Sequence, residues 1–487
     1  MSRAFHDRIE ELAFLNGLLV TNQPTPARLM LMYGRRRVGK TELLKHWRAQ
    51  TRVPNTYIAF DDEPAQIQRR KLAAQAMAVP MEEAPGFETW SQLWSWLIRL
   101  WRDEPHILIM DEVTEASDAD RAMLSSLQHA WDSQFKHTKT VICLCGSHVN
   151  MMEKLMQHSS PLFGRLTNVW HLQPFRFAVL KEFFPRWSAE ERVALYAMVG
   201  GIPAYLEWLD PALTLAGNIK SVILDPGRMF LAEPVFLLHD ELDRIKTYQA
   251  IVKAIGLGRH TLDEISSETL ISKTNLTAYL QRLQEIRMVE RRLPITVPER
   301  MLHTVKRGRY HLSDAYFRFY YAFLNTRQGE QPDPVAILGR IKTQLRSFVG
   351  KSGFEALCRT WVQRAGHNGR LPFVPDAVGA HWSRQVEIDV VAINHTRHQL
   401  LLGECKWTED PVSLKIVREL IEEKTPKILA DLAADTGRRS SAAQETGTWT
   451  VSYCFFSRRG FTPDARARIK SVGGLAIDLS QLDHDLS

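Results

Sequence analysis

Ala27-Arg-Leu-Met-Leu-Met-Tyr33 is apolar apart from Arg28. It is too continuous for a half-exposed strand, and it predicts a short strand buried on both faces, as in parallel sheets. A loop bounded by glycines follows. Glu42-Leu-Leu-Lys-His-Trp-Arg-Ala49 then reads as a helix start. The buried-strand pattern recurs at His106-Ile-Leu-Ile-Met110 and at Thr140-Val-Ile-Cys-Leu-Cys-Gly-Ser147. Buried strands alternating with helical stretches predict an α/β fold with a parallel sheet.

The pattern changes further along. Thr261-Leu-Asp-Glu-Ile265 predicts a capped short helix, and Ser272 caps a second with Leu276, Tyr279, Leu280, Leu283 and Ile286 at helical spacing. Val289 to Ile295 then reads as a strand. Helix, helix, strand in this order predicts a helix-turn-helix with a wing. The aromatic stripe from Tyr310 to Phe323 reads as packed core. Gln328 to Pro334 has linker composition, and Asp431 to Thr448, rich in Ala, Ser and Gly, reads as a loop. Between these, Gln385-Val-Glu-Ile-Asp-Val-Val-Ala392 and Gln399-Leu-Leu-Leu-Gly-Glu-Cys-Lys406 predict a hairpin. Glu387 and Asp389 share one of its faces, Glu404 and Lys406 share one, and Cys405 points to the core.

Composition adds bounds. At 487 residues the chain has room for about three domains. Its ordinary charged and apolar fractions exclude a largely disordered chain. It has no apolar run near the ~20 residues of a membrane span, and its charged N-terminus lacks a secretory apolar region. The five cysteines sit in apolar contexts without metal-ligand spacing, which predicts a reduced, cytoplasmic setting. The net charge of +7 permits an anionic partner. Its location is more informative. Between Gln281 and Tyr310 stand Arg282, Arg287, Arg291, Arg292, Arg300, Lys306, Arg307 and Arg309 against Glu285, Glu290 and Glu299. A basic wing suits phosphate contacts, so nucleic acid, DNA first, is the expected partner. A solvated basic face, or a module that only relays motion, remains the alternative.

The chemistry begins at Gly34-Arg-Arg-Arg-Val-Gly-Lys-Thr41, a G-x-x-x-x-G-K-T phosphate loop between strand and helix. Gly34, Arg35, Arg36, Arg37, Val38, Gly39, Lys40, Thr41 and Glu42 are its expected nucleotide contacts. The glycines turn backbone N–H groups toward phosphate oxygens, and the helix start adds its positive dipole end. Lys40 can reach the β- and γ-phosphates and Thr41 can ligate Mg²⁺. About seventy residues on, Asp111 is placed to hold that Mg²⁺ and Glu112 to polarise the attacking water. ATP and Mg²⁺ are therefore the expected cofactors. Ser147, ending the next strand, can sense the γ-phosphate or simply terminate the strand. Arg165 can act as an arginine finger, as a phosphate sensor, or as a surface arginine.

These motifs, in order, resemble the archaeal-type ATPases of the STAND branch of the AAA+ superclass. Phe5-His-Asp-Arg-Ile-Glu-Glu-Leu12 is similar to the family's entry box. Ser160-Pro-Leu-Phe-Gly-Arg-Leu166 with Leu172-Gln-Pro-Phe175, and Gly200-Gly-Ile-Pro-Ala-Tyr-Leu206, match its later motifs. The resemblance covers about the first 210 residues. It implies an entry box near the nucleotide base and a helical lid whose motif, including Pro203, packs over the nucleotide.

In the tail, the predicted hairpin gathers Asp389, Glu404 and Lys406. Two carboxylates can hold Mg²⁺ and a lysine can orient or deprotonate water, as a metal-dependent phosphodiesterase needs. The D-x14-E-x-K spacing resembles the PD-(D/E)xK nucleases, with Ile388 where the strict pattern has proline. More narrowly it resembles the C-terminal domain of unknown function carried by these ATPases, through Trp382, Gly403-Glu-Cys-Lys-Trp407 and Phe455-Phe-Ser-Arg-Arg-Gly-Phe461. That likeness implies Glu355 as a helix-borne acid that adds a metal contact.

The expected architecture is thus α/β: a P-loop ASCE ATPase core at 1–185, a helical lid at 186–248, a winged helix-turn-helix at 249–327 and a restriction-endonuclease-like domain at 335–487. The expected function is ATP hydrolysis coupled to nucleic-acid binding or Mg²⁺-dependent phosphodiester cleavage. The alternative is a STAND-type signalling switch with a non-catalytic binding tail. If Arg165 acts in trans, a homo-oligomer follows.

Overall fold

A computed structural model describes residues 5–19, 27–102, 104–225, 227–241, 245–302, 305, 307–325, 333–437 and 449–487. The chain forms two compact units, Met1–Pro174 with Ile202–Ala204, and Phe175–Gly201 with Tyr205–Ser487.

The first unit is built on five strands, β1 (Arg28–Tyr33), β2 (Asn55–Ala59), β3 (His106–Asp111), β4 (Thr140–Gly146) and β5 (Asn168–His171), in the order β2-β3-β4-β1-β5. All neighbours run parallel. Every residue of β3 and β4 is buried, which is why these segments read as unbroken apolar runs. Alternate residues serve opposite faces. Met30 and Met32 pack with Leu43, Leu44 and Trp47 of the helix Lys40–Gln50. Leu29 and Leu31 join the cluster of Trp90, Trp94 and Leu97 on the helix Trp90–Leu100. That helix starts at a Thr89–Gln92 capping box. Because β4 lies between β1 and β3, the glycine loop after β1 and the acids ending β3 open at the same carboxyl edge, where α/β sheets bind ligands.

The second unit contains a hairpin of β6 (Val289–Arg292) and β7 (Arg309–Leu312). It also contains a mixed sheet of β8 (Ala377–Trp382), β9 (Glu387–Asn394), β10 (Gln399–Lys406), β11 (Thr450–Ser457) and β12 (Leu475–Asp478), in the order β12-β11-β10-β9-β8. The predicted hairpin is β9–β10, antiparallel, and β10–β11–β12 are parallel. Helices Leu262–Thr269 and Lys273–Glu285 precede β6, with Leu276, Leu280 and Leu283 buried as their spacing predicts. The aromatic stripe is core: Tyr316, Phe317, Phe319 and Phe323 are all buried.

Two expectations need revision. The strand after the second helix ends at Arg292, ahead of Pro294, rather than at Ile295. Residues 431–437 continue the helix Thr425–Gly437 instead of starting a loop, while 438–448 lie outside the described residues. Within the second unit, contacts join segments far apart in the chain. On the helix Ala189–Val199, Arg192 donates to both oxygens of Asp483 (2.8 and 2.7 Å), and Glu190 pairs with Arg458 at 2.7 Å. Ala197 packs so closely on Gly353 that a Cβ there would lie 2.4 Å from it. The β6–β7 hairpin joins the tail through Arg309–Glu387 (2.7 Å) and the bond from Trp382 Nε1 to the Arg307 carbonyl.

Candidate functional site

Gly34 and Gly39 are required by the backbone around them. A side chain on Gly34 would lie 2.5 Å from the Leu172 carbonyl, and Gly39 has φ +91°, which favours glycine. The helix Lys40–Gln50 starts there, so its free N–H groups and dipole face the loop. The buried Lys40 ammonium donates to the Gly34 carbonyl (2.8 Å), the Arg35 carbonyl (3.2 Å) and Ser147 Oγ (2.9 Å). Burial lowers its pKa, and Cys145, Glu112 and Asp111 oppose the shift.

The acids ending β3 complete the site. Thr41 Oγ1 donates to Asp111 Oδ2 at 2.7 Å, and the Tyr57 hydroxyl donates to the same oxygen at 2.9 Å. Burial and the adjoining Asp111 carboxylate push the Tyr57 pKa up. Glu112 turns through a left-handed backbone (φ 49°), and its carboxylate accepts from Ser147 N (3.0 Å) and Ser147 Oγ (2.5 Å). Ser147 therefore links Lys40 to Glu112. Pro203 lies over the loop, with its Cγ 3.6 Å from where a Gly39 side chain would begin. The Thr41–Asp111 oxygen pair fits a Mg²⁺ ion, whose ligands are hard oxygens.

Two predicted contacts differ in detail. The Glu42 side chain is exposed beside Lys45. Arg165 is turned to other partners: its guanidinium binds Asp132 at 2.7–3.0 Å and the Pro161 and Phe163 carbonyls. Two residues were missed. Arg8 bridges Glu11, the Gln173 carbonyl and the Val38 carbonyl, each at 2.8–2.9 Å, which ties the entry box to the loop. Its signal was the box itself. Tyr57 had none.

In the second unit the hairpin sets Asp389 beside Glu404, and Glu355 begins the helix Glu355–His367 close to Asp389. Burial first, then Asp389, pushes Glu355 up to about 8, and burial first, then Glu404, pushes Asp389 up to about 6. Asp389 Oδ2 accepts from Cys405 N at 2.9 Å. Both Glu404 oxygens are held by lysines, Lys406 at 2.6 Å and Lys424 at 2.8 Å. Arg359 ties the Asp389 carbonyl (2.8 Å) to Glu355 (3.6 Å). Lys424 and Arg359 were missed because each comes from a helix, without a local motif. Among the described residues no group of three or more His, Cys, Asp and Glu side chains is gathered to hold a metal ion.

The basic segment around the hairpin is largely engaged internally. Arg282 pairs with Glu285, Arg292 with Glu290 and Arg309 with Glu387, while Arg291 donates to the Val305 carbonyl at 2.6 Å. Lys306 lies outside the described residues. The five cysteines are buried free thiols. No helix among the described residues is long and apolar enough to cross a membrane.

A glycine loop, a lysine at its end and two acids at the end of the next-but-one strand define a P-loop ATPase. Comparison agrees. Residues 5–209 match a family described as an ATPase domain predominantly from Archaea. Residues 316–424 match a family described as archaea bacterial proteins of unknown function. An uncharacterized protein of Methanocaldococcus jannaschii is 32% identical over 420 residues, spanning 85% of this chain and 91% of the relative. The chain belongs to this family of archaeal-type ATPases, with the ATPase domain first and the domain of unknown function toward its C-terminus. Among solved structures, the Walker-type ATPase PABY2304 of Pyrococcus abyssi is 19% identical (TM-score 0.44, 65% of this chain, 96% of that one). The Aeropyrum pernix ORC2 protein is 14% identical (TM-score 0.43, 71% and 97%).

Proposed function

We propose that this ATPase is a nucleotide-dependent switch whose second unit binds nucleic acid through a winged helix and carries a non-catalytic PD-(D/E)xK-like tail. The observation that carries the tail reading is the double lysine clamp on Glu404. A carboxylate with both oxygens in charge-assisted bonds is a poor metal ligand, because a cation must first displace two ammonium groups.

At the ATPase site, Lys40 exchanges its loop carbonyls for the nucleotide's phosphates. Glu112 polarises water, and Ser147 holds its carboxylate. Thr41 and Asp111 would hold Mg²⁺, which screens phosphate charge when bound. Because Ser147 bonds both Lys40 and Glu112, moving Lys40 onto phosphate changes what holds Glu112. Helices Leu262–Thr269 and Lys273–Glu285 with the β6–β7 hairpin have the order of a winged helix. Lys273, Asn275, Thr277 and Arg282 lie on the exposed side of the second helix, where such folds read DNA.

One observation favours the competing reading of a metal-dependent phosphodiesterase. Glu355 and Asp389 are both raised by burial and by a neighbouring carboxylate, and added positive charge relieves that strain. A cleavage assay on single- and double-stranded DNA and RNA, with Mg²⁺ or Mn²⁺ and with or without ATP, separates the two. The switch reading expects binding without cutting, and ATP hydrolysis unchanged in Asp389→Asn. Metal-dependent cutting that Asp389→Asn abolishes would overturn it.

A further inference from the structure

Tyr57 has no place in the phosphate loop, yet it reaches the acid that ends β3. Its hydroxyl donates to Asp111 Oδ2 at 2.9 Å, the same oxygen that accepts from Thr41 Oγ1 at 2.7 Å. Asp111 Oδ1 accepts from Glu112 N at 3.1 Å. The buried Cys145 thiol adjoins the same carboxylate from β4.

The Tyr57 ring is held by contacts that do not involve its hydroxyl. Tyr57 lies on β2, whose parallel register with β3 sets Tyr57 beside Ile109 and Ala59 beside Asp111. Its half-buried ring packs against the cluster that includes Leu43, Leu44 and Trp47. The Arg48 guanidinium lies over the ring, 5.4 Å from its centre. These four residues belong to the helix Lys40–Gln50. The helix that carries Thr41 therefore also fixes the tyrosine that meets Asp111.

A carboxylate oxygen offers about two lone-pair directions. On Asp111 Oδ2, Thr41 takes one and Tyr57 takes the other. The Thr41 side is the side a cation held by both residues would use. The Tyr57 bond leaves that side open and keeps the carboxylate from turning away from it. Resting on the reading of Thr41 and Asp111 as the Mg²⁺ ligands, we propose that Tyr57 is a positioning residue of the ATPase. It orients Asp111 toward Thr41, so that the site favours the Mg²⁺ complex of ATP over ATP alone.

The test is calorimetric titration of the full chain with a non-hydrolysable ATP analogue, at graded Mg²⁺ and in EDTA. Wild type, Tyr57→Phe and Asp111→Asn are compared. Tyr57→Phe keeps the ring, its packing and its place under Arg48, and removes only the hydroxyl. It should raise the Mg²⁺ concentration that half-maximally tightens the analogue by about tenfold or more, the usual effect of losing a partner that orients a metal ligand. Affinity in EDTA should stay as in wild type. Phosphate release should show the same shift in Mg²⁺ dependence and recover as Mg²⁺ is raised. Three results overturn the proposal. If Asp111→Asn loses the Mg²⁺ dependence while Tyr57→Phe keeps it or binds Mg²⁺ more tightly, the role of Tyr57 alone is refuted. If Tyr57→Phe weakens the analogue equally in EDTA and in Mg²⁺, Tyr57 only supports the fold. If all three chains share one Mg²⁺ dependence, the assignment of Thr41 and Asp111 as ligands falls, and the role of Tyr57 with it.

Discussion

The pair between Arg192 and Asp483 tests whether the helix Ala189–Val199 is truly built into the tail. Both side chains are largely buried, at 8% and 13% exposure. Arg192 Nη2 bonds both Asp483 oxygens, and its Nη1 bonds the Trp187 carbonyl. Removing one member of a buried pair costs about 3–5 kcal/mol, mostly through the charge left behind. The two ends are not equivalent. Asp483→Asn leaves the Arg192 guanidinium buried with a carbonyl as its main partner, so about 3–5 kcal/mol is expected. Arg192→Met leaves Asp483 with Lys181 at 3.5 Å, so a smaller loss of about 2–3 kcal/mol follows. Hydrogen exchange in the helix Leu479–Leu486 reads this locally. A loss of about 3 kcal/mol speeds exchange by roughly two factors of ten wherever opening of this joint controls it. The double variant should recover part of the sum, with a coupling of about 1–3 kcal/mol. If exchange is unchanged in both single variants, or if Arg192→Met costs more than Asp483→Asn, the reasoning about which charge is stranded is wrong.

At the phosphate loop, Lys40→Ala should abolish measurable ATP binding and hydrolysis, whereas Ser147→Ala should keep binding and lower turnover by about 10²-fold, comparable to losing one preorganised donor. Equal turnover in Ser147→Ala and wild type, read by phosphate release, would remove Ser147 from the chemistry. His106, beside Thr56 and stacked on Trp101, is held by burial at about 4 against an ordinary 6.5. The unfolded chain therefore takes up this proton first. The stability it contributes is full above about pH 6.5 and falls, by up to ~3 kcal/mol, as the pH drops toward 4. In urea titrations His106→Gln should flatten that slope, and an unchanged slope refutes the assignment. For nucleic acid, Lys273→Ala and Arg282→Ala should each reduce the salt slope of binding by about 1, while Arg291→Ala should instead cost about 1–3 kcal/mol of stability. A reversed pattern would place the contact on the hairpin.

What was legible in the sequence was what is local in the chain. Gly34 to Thr41 announce themselves because a phosphate loop is one turn between a strand and a helix, and every part of it lies within eight residues. Asp389, Glu404 and Lys406 were legible for the same reason: a hairpin converts short spacing into a shared face. The distant contacts were not. Lys40 and Ser147 are 107 residues apart, and only the parallel pairing of β1 with β4 brings their strand ends together. Lys424 reaches Glu404 from a helix, and no spacing rule connects a helix to a particular strand position. The contact between the helix Ala189–Val199 and the tail was hidden on the same ground. The helix's buried Arg192 is answered by Asp483, 291 residues away.

The charge excess shows why a formal count is a poor guide to a binding face. Five of the net +7 charges fall between Gln281 and Tyr310, yet the fold sorts them by how easily each can be released. Arg291 is bound to backbone carbonyls, and withdrawing it would leave an acceptor at Val305 unanswered. Arg309 lies over the Trp382 ring and pairs with Glu387, joining the hairpin to the tail. Arg282 is different, and so is Lys273, which precedes this segment on the same helix. Their partners, Glu285 and Asp263, are themselves exposed, at 48% and 76%. Exposed pairs are worth roughly 0–1 kcal/mol, so exchanging a surface carboxylate for a phosphate costs little. Releasable charge therefore lies on the helix Lys273–Glu285 and at Arg292, whose partner Glu290 is itself exposed, while Arg291 and Arg309 are committed to holding the unit together. The same basic segment thus divides into a structural part and a part free to meet an anion, and the division follows from partners rather than from position in the chain.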